Sequence, residues 1–199
     1  MLMPQSQSTP PKGVVVQQPP GHAQTPHTEN MTLMKATTLL QKHHRNVDAV
    51  LLKLERGALP ASGPRLAHMA TNLAGHLSVE EEIFNPAVRG MSEMLAFQAH
   101  ERLVLARFAL ERLLATKPED TTFQAKVTAL RELVLQHVKK NEETIFPKVE
   151  KALDEKQLVE LGAQMKIHFQ EVVEWGAEAV LARLRRRPTF SDLSSFIAS

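Results

Sequence analysis

Cysteine is absent from the 199 residues of this sequence. Its absence excludes disulfide bonds, thiolate metal sites, iron–sulfur clusters and cysteine nucleophiles. Tyrosine is absent too, and aromatic residues make up only 5% of the chain, a composition that disfavours β-sheets. Leu, Ala, Glu and Lys are abundant instead, and they favour helices. We therefore expect an all-α protein in which any metal is bound by imidazole and carboxylate groups.

Long apolar segments are also missing from the sequence. No stretch approaches the roughly 20 apolar residues that cross a bilayer, and the Val-Val-Val run at residues 14–16 is too short for the core of a signal peptide. The formal net charge of +2 gives no general attraction to nucleic acid or to a membrane surface. We therefore expect a cytoplasmic protein with neither nucleic acid nor a membrane as its partner.

The composition divides the chain into three parts. Residues 1–29 are rich in Pro, Gln, Ser and Thr, which cannot bury enough apolar surface to become ordered. Apolar residues account for 43% of the whole sequence, enough for one sizeable core at this length. We expect a disordered leader at 1–29, one helical domain at 30–187 and a tail at 188–199.

Apolar residues spaced three and four apart predict five helical segments. Four of them, at about residues 32–56, 62–86, 92–116 and 121–145, are joined by short connections. Such connections favour an antiparallel up-down-up-down four-helix bundle. The fifth segment, at about 155–186, is an additional C-terminal helix, and we expect its basic end at 183–187 to be solvated and without a function of its own.

Each of the four bundle helices places one histidine among its apolar core positions, namely His44, His76, His100 and His137. If about a third of the positions on an amphipathic helix face the core, coincidence gives this pattern on the order of one time in eighty. Glu80 follows His76 by four residues, so both side chains point to one side of the helix. Because an unpaired buried carboxylate is costly and a cation offsets that cost, the pattern indicates a buried metal site.

The remaining histidines and acidic residues of the domain have plainer interpretations. His43 and His68 lie off the apolar stripes, and we expect both at the surface. His168 lies on an apolar stripe of the fifth segment, where we expect it to pack against the bundle rather than to bind metal. The acidic residues beside the predicted site are expected to be solvated or to support the metal-binding residues, and they are Glu81, Glu82 and Glu143.

An internal repeat relates the second and fourth helices. Residues 76–86 read HLSVEEEIFNP and residues 137–147 read HVKKNEETIFP. Both segments begin with histidine and end with proline at the same distance, with a Glu-Glu pair at the same two offsets and Ile-Phe close before the proline. The repeat predicts that these two helices are matched halves of the bundle.

Three features together resemble the hemerythrin or HHE cation-binding family over about residues 32–165. They are Lys42-His43-His44-Arg45, the two histidine-to-proline segments, and Ala99-His100-Glu101. The resemblance implies an iron centre, commonly of two ions bridged by carboxylates and oxygen, with a single ion as the alternative. It implies metal ligands at His44, His76, Glu80, His100 and His137.

The sequence departs from the family pattern at two positions. Asn141 stands four residues after His137, where many members have Glu, and Val104 stands where oxygen-carrying members have a second histidine. Some relatives use a carboxylate five residues after the histidine that corresponds to His137, which makes Glu142 a further candidate ligand. An ideal helix turns this residue about 140° away from His137, so it would need a local bulge to reach the metal.

Three functions are compatible with such a site. The first is a binding or sensing protein whose iron takes up oxygen, nitric oxide or peroxide, or that handles iron itself. The second is an iron-dependent enzyme that consumes peroxide or nitric oxide, since open positions on a redox metal can activate such ligands. The third is a metal-free helical adaptor. No dedicated acid–base group is visible in the sequence, which leaves open whether the protein is an enzyme.

Overall fold

The computed structural model describes residues 34–57 and 63–186, and within these ranges every regular element is helical. The leader at 1–29, the tail at 188–199 and the predicted domain boundaries beside them lie outside the described residues. The α-helices are α1 (Ala36–Glu55), α2 (Pro64–Val79), α3 (Asn85–Arg89), α4 (Glu93–Leu114), α5 (Phe123–Lys140), α6 (Phe146–Ala152), α7 (Glu155–Trp175) and α8 (Ala177–Arg185). Two short π-helical turns complete them, the first π turn (Glu80–Phe84) between α2 and α3 and the second π turn (Asn141–Ile145) between α5 and α6.

The predicted all-α four-helix bundle is confirmed, with α1, α2, α4 and α5 as its helices. Contacts between α1 and α5 show that these two neighbours are antiparallel. The Gln124 side chain at the start of α5 donates to the Glu55 carbonyl at the end of α1, and Arg131, further along α5, pairs with Asp48, one to two turns earlier in α1. Local sequence fixes the helix ends, since Pro64 begins α2 and the Ser92 hydroxyl caps α4 through the Leu95 amide.

Two apolar clusters fill the bundle and leave a polar layer between them. On α1, Leu40 belongs to one cluster and Val47 to the other, with His44 between them. On α2, Val79 belongs to the same cluster as Leu40 and Leu73 to the same cluster as Val47, with His76 between them. The histidines predicted at core positions of α1, α2 and α5 therefore lie in one layer, shielded by apolar side chains above and below.

The C-terminal segment differs from the single helix predicted at 155–186. It consists of α7 and α8, separated at Gly176, whose φ of 79° is the left-handed conformation that favours glycine. Helix α7 runs parallel to α1, with Glu155 paired to Lys35 at one end and Phe169 against His43 further along. It packs against α1 and α2, while α8 packs against α2.

None of the helices within residues 34–57 and 63–186 has the length and hydropathy that a membrane-spanning segment requires.

Candidate metal centre

Both histidine-to-proline segments contain a π turn at the same place. The Asn85 amide donates to the Glu80 carbonyl, and the Phe146 amide donates to the Asn141 carbonyl, each five residues back. A proline follows each donor, and a proline ring clashes with the carbonyl four residues before it. The wider turn relieves that clash, so the helices continue past Pro86 and Pro147 as α3 and α6. The matched backbones are what the internal repeat predicts.

Four buried side chains converge in the polar layer. His44 comes from α1, His76 from α2, Glu80 from the start of the first π turn and His137 from α5. Each offers one donor atom, and the four donor atoms all lie within 4.8 Å of one another. Within the described ranges, this is the group of histidine and acidic side chains that could hold a metal ion.

The distances around Glu80 match the spacing of donors around one ion. Its Oε1 lies 3.5 Å from Nε2 of His44 and 3.5 Å from Nε2 of His76, and its Oε2 lies 3.1 Å from Nε2 of His137. Metal–nitrogen and metal–oxygen bonds of about 2.0–2.2 Å place adjacent donors about 3.0–3.5 Å apart. The group therefore needs little rearrangement to bind a cation.

Two of the atoms that converge at the centre of the group lack the partner that a buried polar atom normally has. Nε2 of His44 and Oε2 of Glu80 are buried and make no hydrogen bond within the part of the chain that the structure describes. Buried polar atoms without a hydrogen bond are rare and call for an explanation. A cation coordinated by both atoms supplies one, so the donor set fits a metal.

The protonation states of the group also suit a metal. Burial lowers the pKa of His76 well below its ordinary value. Burial alone would raise the pKa of Glu80, but the surrounding histidines, His137 foremost, hold this pKa well below its usual range. Burial opposes protonation of His44, yet the carboxylates of Glu80 and Glu142 raise its pKa. Glu80 is therefore ionised and His76 neutral, as metal ligands must be, and a cation would displace the proton that these carboxylates favour on His44.

Asn141 points into this layer from the second half of the bundle. Its Nδ2 donates to Oε1 of Glu80 at 2.8 Å and lies 3.2 Å from Nε2 of His137. The residue is buried and, as expected for a helical offset of four, stands on the same side as His137. The second half thus places an amide where the first half places the Glu80 carboxylate.

Glu142 reaches the site from outside the donor group. The Nδ1–H of His44 donates to Oε1 of Glu142 at 3.0 Å, and the Glu142 side chain is 31% exposed. The second π turn, which begins at Asn141, supplies the bulge that the sequence required for Glu142 to approach. The Glu142 carboxylate thus accepts from Nδ1 of His44, the ring nitrogen that is not directed at Glu80. Such a contact fixes the tautomer and orientation of metal-bound histidines.

The structure does not bring His100 into the donor group. His100 is buried on α4, where its Nδ1 lies 3.9 Å from Oε1 of Glu81, and Arg107 lies 3.8 Å from the other oxygen of that carboxylate. Glu81 and Glu142 occupy matching offsets in the two halves. Glu81 faces His100 on α4, the next bundle helix, and Glu142 faces His44 on α1, which packs against α5, but only His44 belongs to the donor group.

Of the expectations about His43 and His168, the one for His43 needs correction. His43 is half-buried rather than exposed, because α7 partly covers it: its ring packs 4.3 Å from that of Phe169 and 5.9 Å from that of His76, and burial lowers its pKa to about 4. His168 packs against α2 as expected, and it does so through a hydrogen bond to the Ser78 hydroxyl. The apolar stripe of the fifth segment signalled a covering helix but not which residues it would cover.

A helical bundle with a buried set of histidine and glutamate donors on facing helices is typical of non-haem metal-binding bundle proteins. Comparison with known proteins narrows this class. The sequence profile of the hemerythrin HHE cation binding domain matches residues 35–149. This match covers more than half of the chain, which therefore belongs to that family.

A solved structure supports the same fold. The crystal structure of a hemerythrin HHE cation binding domain-containing protein from Mycobacterium kansasii superposes on this chain with a TM-score of 0.63 at 18% sequence identity. The alignment covers 75% of this chain and 98% of the mycobacterial one. No curated protein sequence matches significantly. At this identity the likeness shows the fold, and the chemistry must be argued from the residues of this chain.

Proposed function

We propose that this chain is a non-haem iron-binding protein of the hemerythrin type. In this proposal His44, His76, Glu80 and His137 hold one iron ion. The convergence of these four buried donors around the Glu80 carboxylate carries the proposal, because such a group is costly to bury without a cation. Imidazole and carboxylate donors suit iron among several metals, and family membership favours iron among them.

A second ion is expected to bind less tightly than the first. Two side chains that contact the donor group are Asn141, which is neutral, and Glu142, which is already engaged by His44. His100, the other expected ligand, faces Glu81 instead. A neutral amide oxygen is a weak donor that neither bridges two ions as a carboxylate does nor neutralises their charge. We therefore infer one strong position, with a two-ion centre as the weaker alternative.

The exogenous ligand is inferred to be small and uncharged, as oxygen, nitric oxide and hydrogen peroxide are. An iron ion held by these four donors would supply redox chemistry toward such molecules. The protein itself selects for uncharged ligands, because the apolar clusters on both sides of the layer disfavour entry of charged solutes. A cytoplasmic location and the absence of nucleic-acid and membrane partners remain inferences from the sequence.

The test is metal analysis of the full-length protein, loaded anaerobically with ferrous iron and freed of excess metal. We expect about one tightly bound iron per chain, a rise in melting temperature, and new absorption bands on addition of nitric oxide or peroxide. Turnover of peroxide or nitric oxide faster than by free iron would identify the alternative, an iron-dependent enzyme. No bound metal and an unmoved melting temperature would overturn the proposal and leave a metal-free adaptor.

A further inference from the structure

Glu80 lies midway between two residues that are tied to the C-terminal helices. Ser78, two residues before it, shares a 2.9 Å hydrogen bond with Nε2 of His168 on α7. Glu82, two residues after it, accepts two hydrogen bonds from the guanidinium of Arg183 on α8, at 3.1 and 2.9 Å. The first π turn is therefore held on both sides of the candidate metal ligand.

The ties form one connected network. The Ser78 hydroxyl donates to Oε1 of Glu82 at 3.3 Å, and Nε2 of His168 lies 3.6 Å from Oε2 of the same carboxylate. The Glu82 side chain is only 8% exposed, whereas that of Arg183 is 48% exposed and lies over the ring of Trp175. A bidentate pair between arginine and a desolvated carboxylate is stronger and more directional than a solvated ion pair.

The second π turn has no equivalent in the described structure. The residues at the offsets of Ser78 and Glu82 are Lys139 and Glu143, and both are exposed. Helix α7 packs against α1 and α2 rather than against α5. The network therefore belongs to the half of the bundle that carries Glu80.

A π turn needs such support more than an α-helix does. π-helical turns are rare insertions into α-helices and are found mostly at functional sites. Glu80 is the first residue of this turn, so a change in the turn moves its carboxylate relative to the three histidines. A displacement of about an ångström is enough to spoil a metal site built to fixed bond lengths.

We propose that Arg183 and His168 are positioning residues for the metal centre, through which α7 and α8 hold the first π turn so that Glu80 faces His44, His76 and His137. The break at Gly176 directs α8 along α2 and brings Arg183 onto Glu82. Both helices lie beyond residues 35–149, the part that matches the family profile. The proposal rests on the metal-binding function proposed above.

The test compares two arginines of the same helix in the full-length chain. Arg183→Ala removes the pair with Glu82, and Arg185→Ala removes a looser pair with Glu111, 3.7 Å apart and away from the π turn. The probe is the cobalt(II) ion, whose visible spectrum reports the geometry of its ligands. We expect Arg183→Ala to weaken cobalt binding by about tenfold, to speed its release to a chelator and to alter the spectrum.

Arg185→Ala should leave all three measurements at the wild-type values. Arg183→Lys should give an intermediate affinity, because lysine keeps the charge but not the two-pronged geometry. If Arg183→Ala does not fold, Glu82→Gln, which keeps the size of the side chain, replaces it with the same expectations. Equal affinity, release and spectra in the Arg183 and Arg185 variants would overturn the positioning role. Failure of the wild type to bind cobalt or iron would instead overturn the proposed function, and this inference with it.

Discussion

The two halves of the bundle share a backbone pattern but differ in the chemistry that it presents. In both, a histidine is followed by a π turn and a proline at equal distances. At the offset of four residues the first half has Glu80 and the second half has Asn141. Glu80 lies near all three histidines of the group, while Asn141 donates a hydrogen bond to Glu80.

This difference shows that the backbone pattern, which places side chains in the polar layer, is independent of the residue that gives the layer its negative charge. The repeated histidine, turn and proline place side chains in the layer in both halves. The residue at the offset of four decides whether the layer gains a negative charge, and only a charged oxygen offsets the charge of a cation. The first half therefore defines the strong metal position, and substitutions in each half can test that assignment.

The largest effect is expected from Glu80→Gln. This change keeps the shape of the side chain but removes the charge that faces three imidazoles, so metal affinity should fall by more than about 100-fold, beyond the usual cost of losing a supporting residue. Metal content per chain after dialysis measures the loss. His68→Ala, an exposed histidine on the same helix, is the control and should keep full content. Equal content in the two variants would show that the metal binds elsewhere.

The next effect concerns α7, which packs against α1 and α2. A Cβ at Gly162 would collide with the backbone carbonyl of Met34 and lie 3.0 Å from the Ala36 nitrogen. Because backbone cannot move aside as a side chain does, Gly162→Ala should lower the free energy of unfolding by about 3 kcal/mol, the upper end for overpacking.

Gly90→Ala is the matched control for this substitution. Gly90 has helical backbone angles, and a Cβ there meets only the Ala87 carbonyl at 3.4 Å, so stability should change by less than about 1 kcal/mol. Urea unfolding of the two metal-free variants measures both values. If Gly162→Ala were as stable as Gly90→Ala, α7 would not pack on α1 as described.

A third comparison sets Glu142 against its counterpart Glu81. Because Glu142 holds Nδ1 of His44, Glu142→Gln should weaken metal binding by about 10- to 100-fold without changing the number of ions bound at saturation. Glu81→Gln, beside His100 and Arg107, should change the affinity far less. Metal titration with a competing chelator separates the two properties. A fall in the number of ions for Glu142→Gln would make this residue a ligand, as the sequence suggested.

The sequence predicts much of this molecule because the signals are periodic. Four helices with a histidine each, and Glu80 four residues after His76, follow from spacing along a single helix. Asn141 was likewise placed beside His137 by its offset. Each of these predictions needs only the geometry of one helix, and the internal repeat supports the predictions for α2 and α5 further.

The rest depends on tertiary packing, which spacing does not encode. The approach of Glu142 to His44 needs the second π turn, and a proline in sequence indicates a break or a kink rather than a π turn. His43 lies off the apolar stripe of α1, yet Phe169 of a distant helix packs on it and leaves it half-buried. His100 shares the periodic pattern of the other three histidines but turns toward Glu81, so a core position alone did not identify its partner.

The smallest effect is expected from Asn141→Glu, which gives the second half the carboxylate of the first. Without metal, the new carboxylate would face Oε1 of Glu80 where the amide now donates at 2.8 Å. The metal-free protein should lose about 1–3 kcal/mol, because a hydrogen bond to a charged group is replaced by repulsion.

With metal, the same carboxylate can neutralise a second cation, so the number of ions bound at saturation should rise from about one toward two. Asn141→Gln lengthens the side chain equally without charge, and it should leave the number of ions at the wild-type value. Counting ions per chain across an iron titration, with melting curves of the metal-free forms, measures both effects. If Asn141→Glu still bound one ion, the charge at this offset would not limit the second position, and the absence of His100 from the donor group would be the remaining cause. If the wild type already bound two ions equally well, the inferred difference between the two halves would be wrong, because an amide and a carboxylate at matched places would then serve the metal alike.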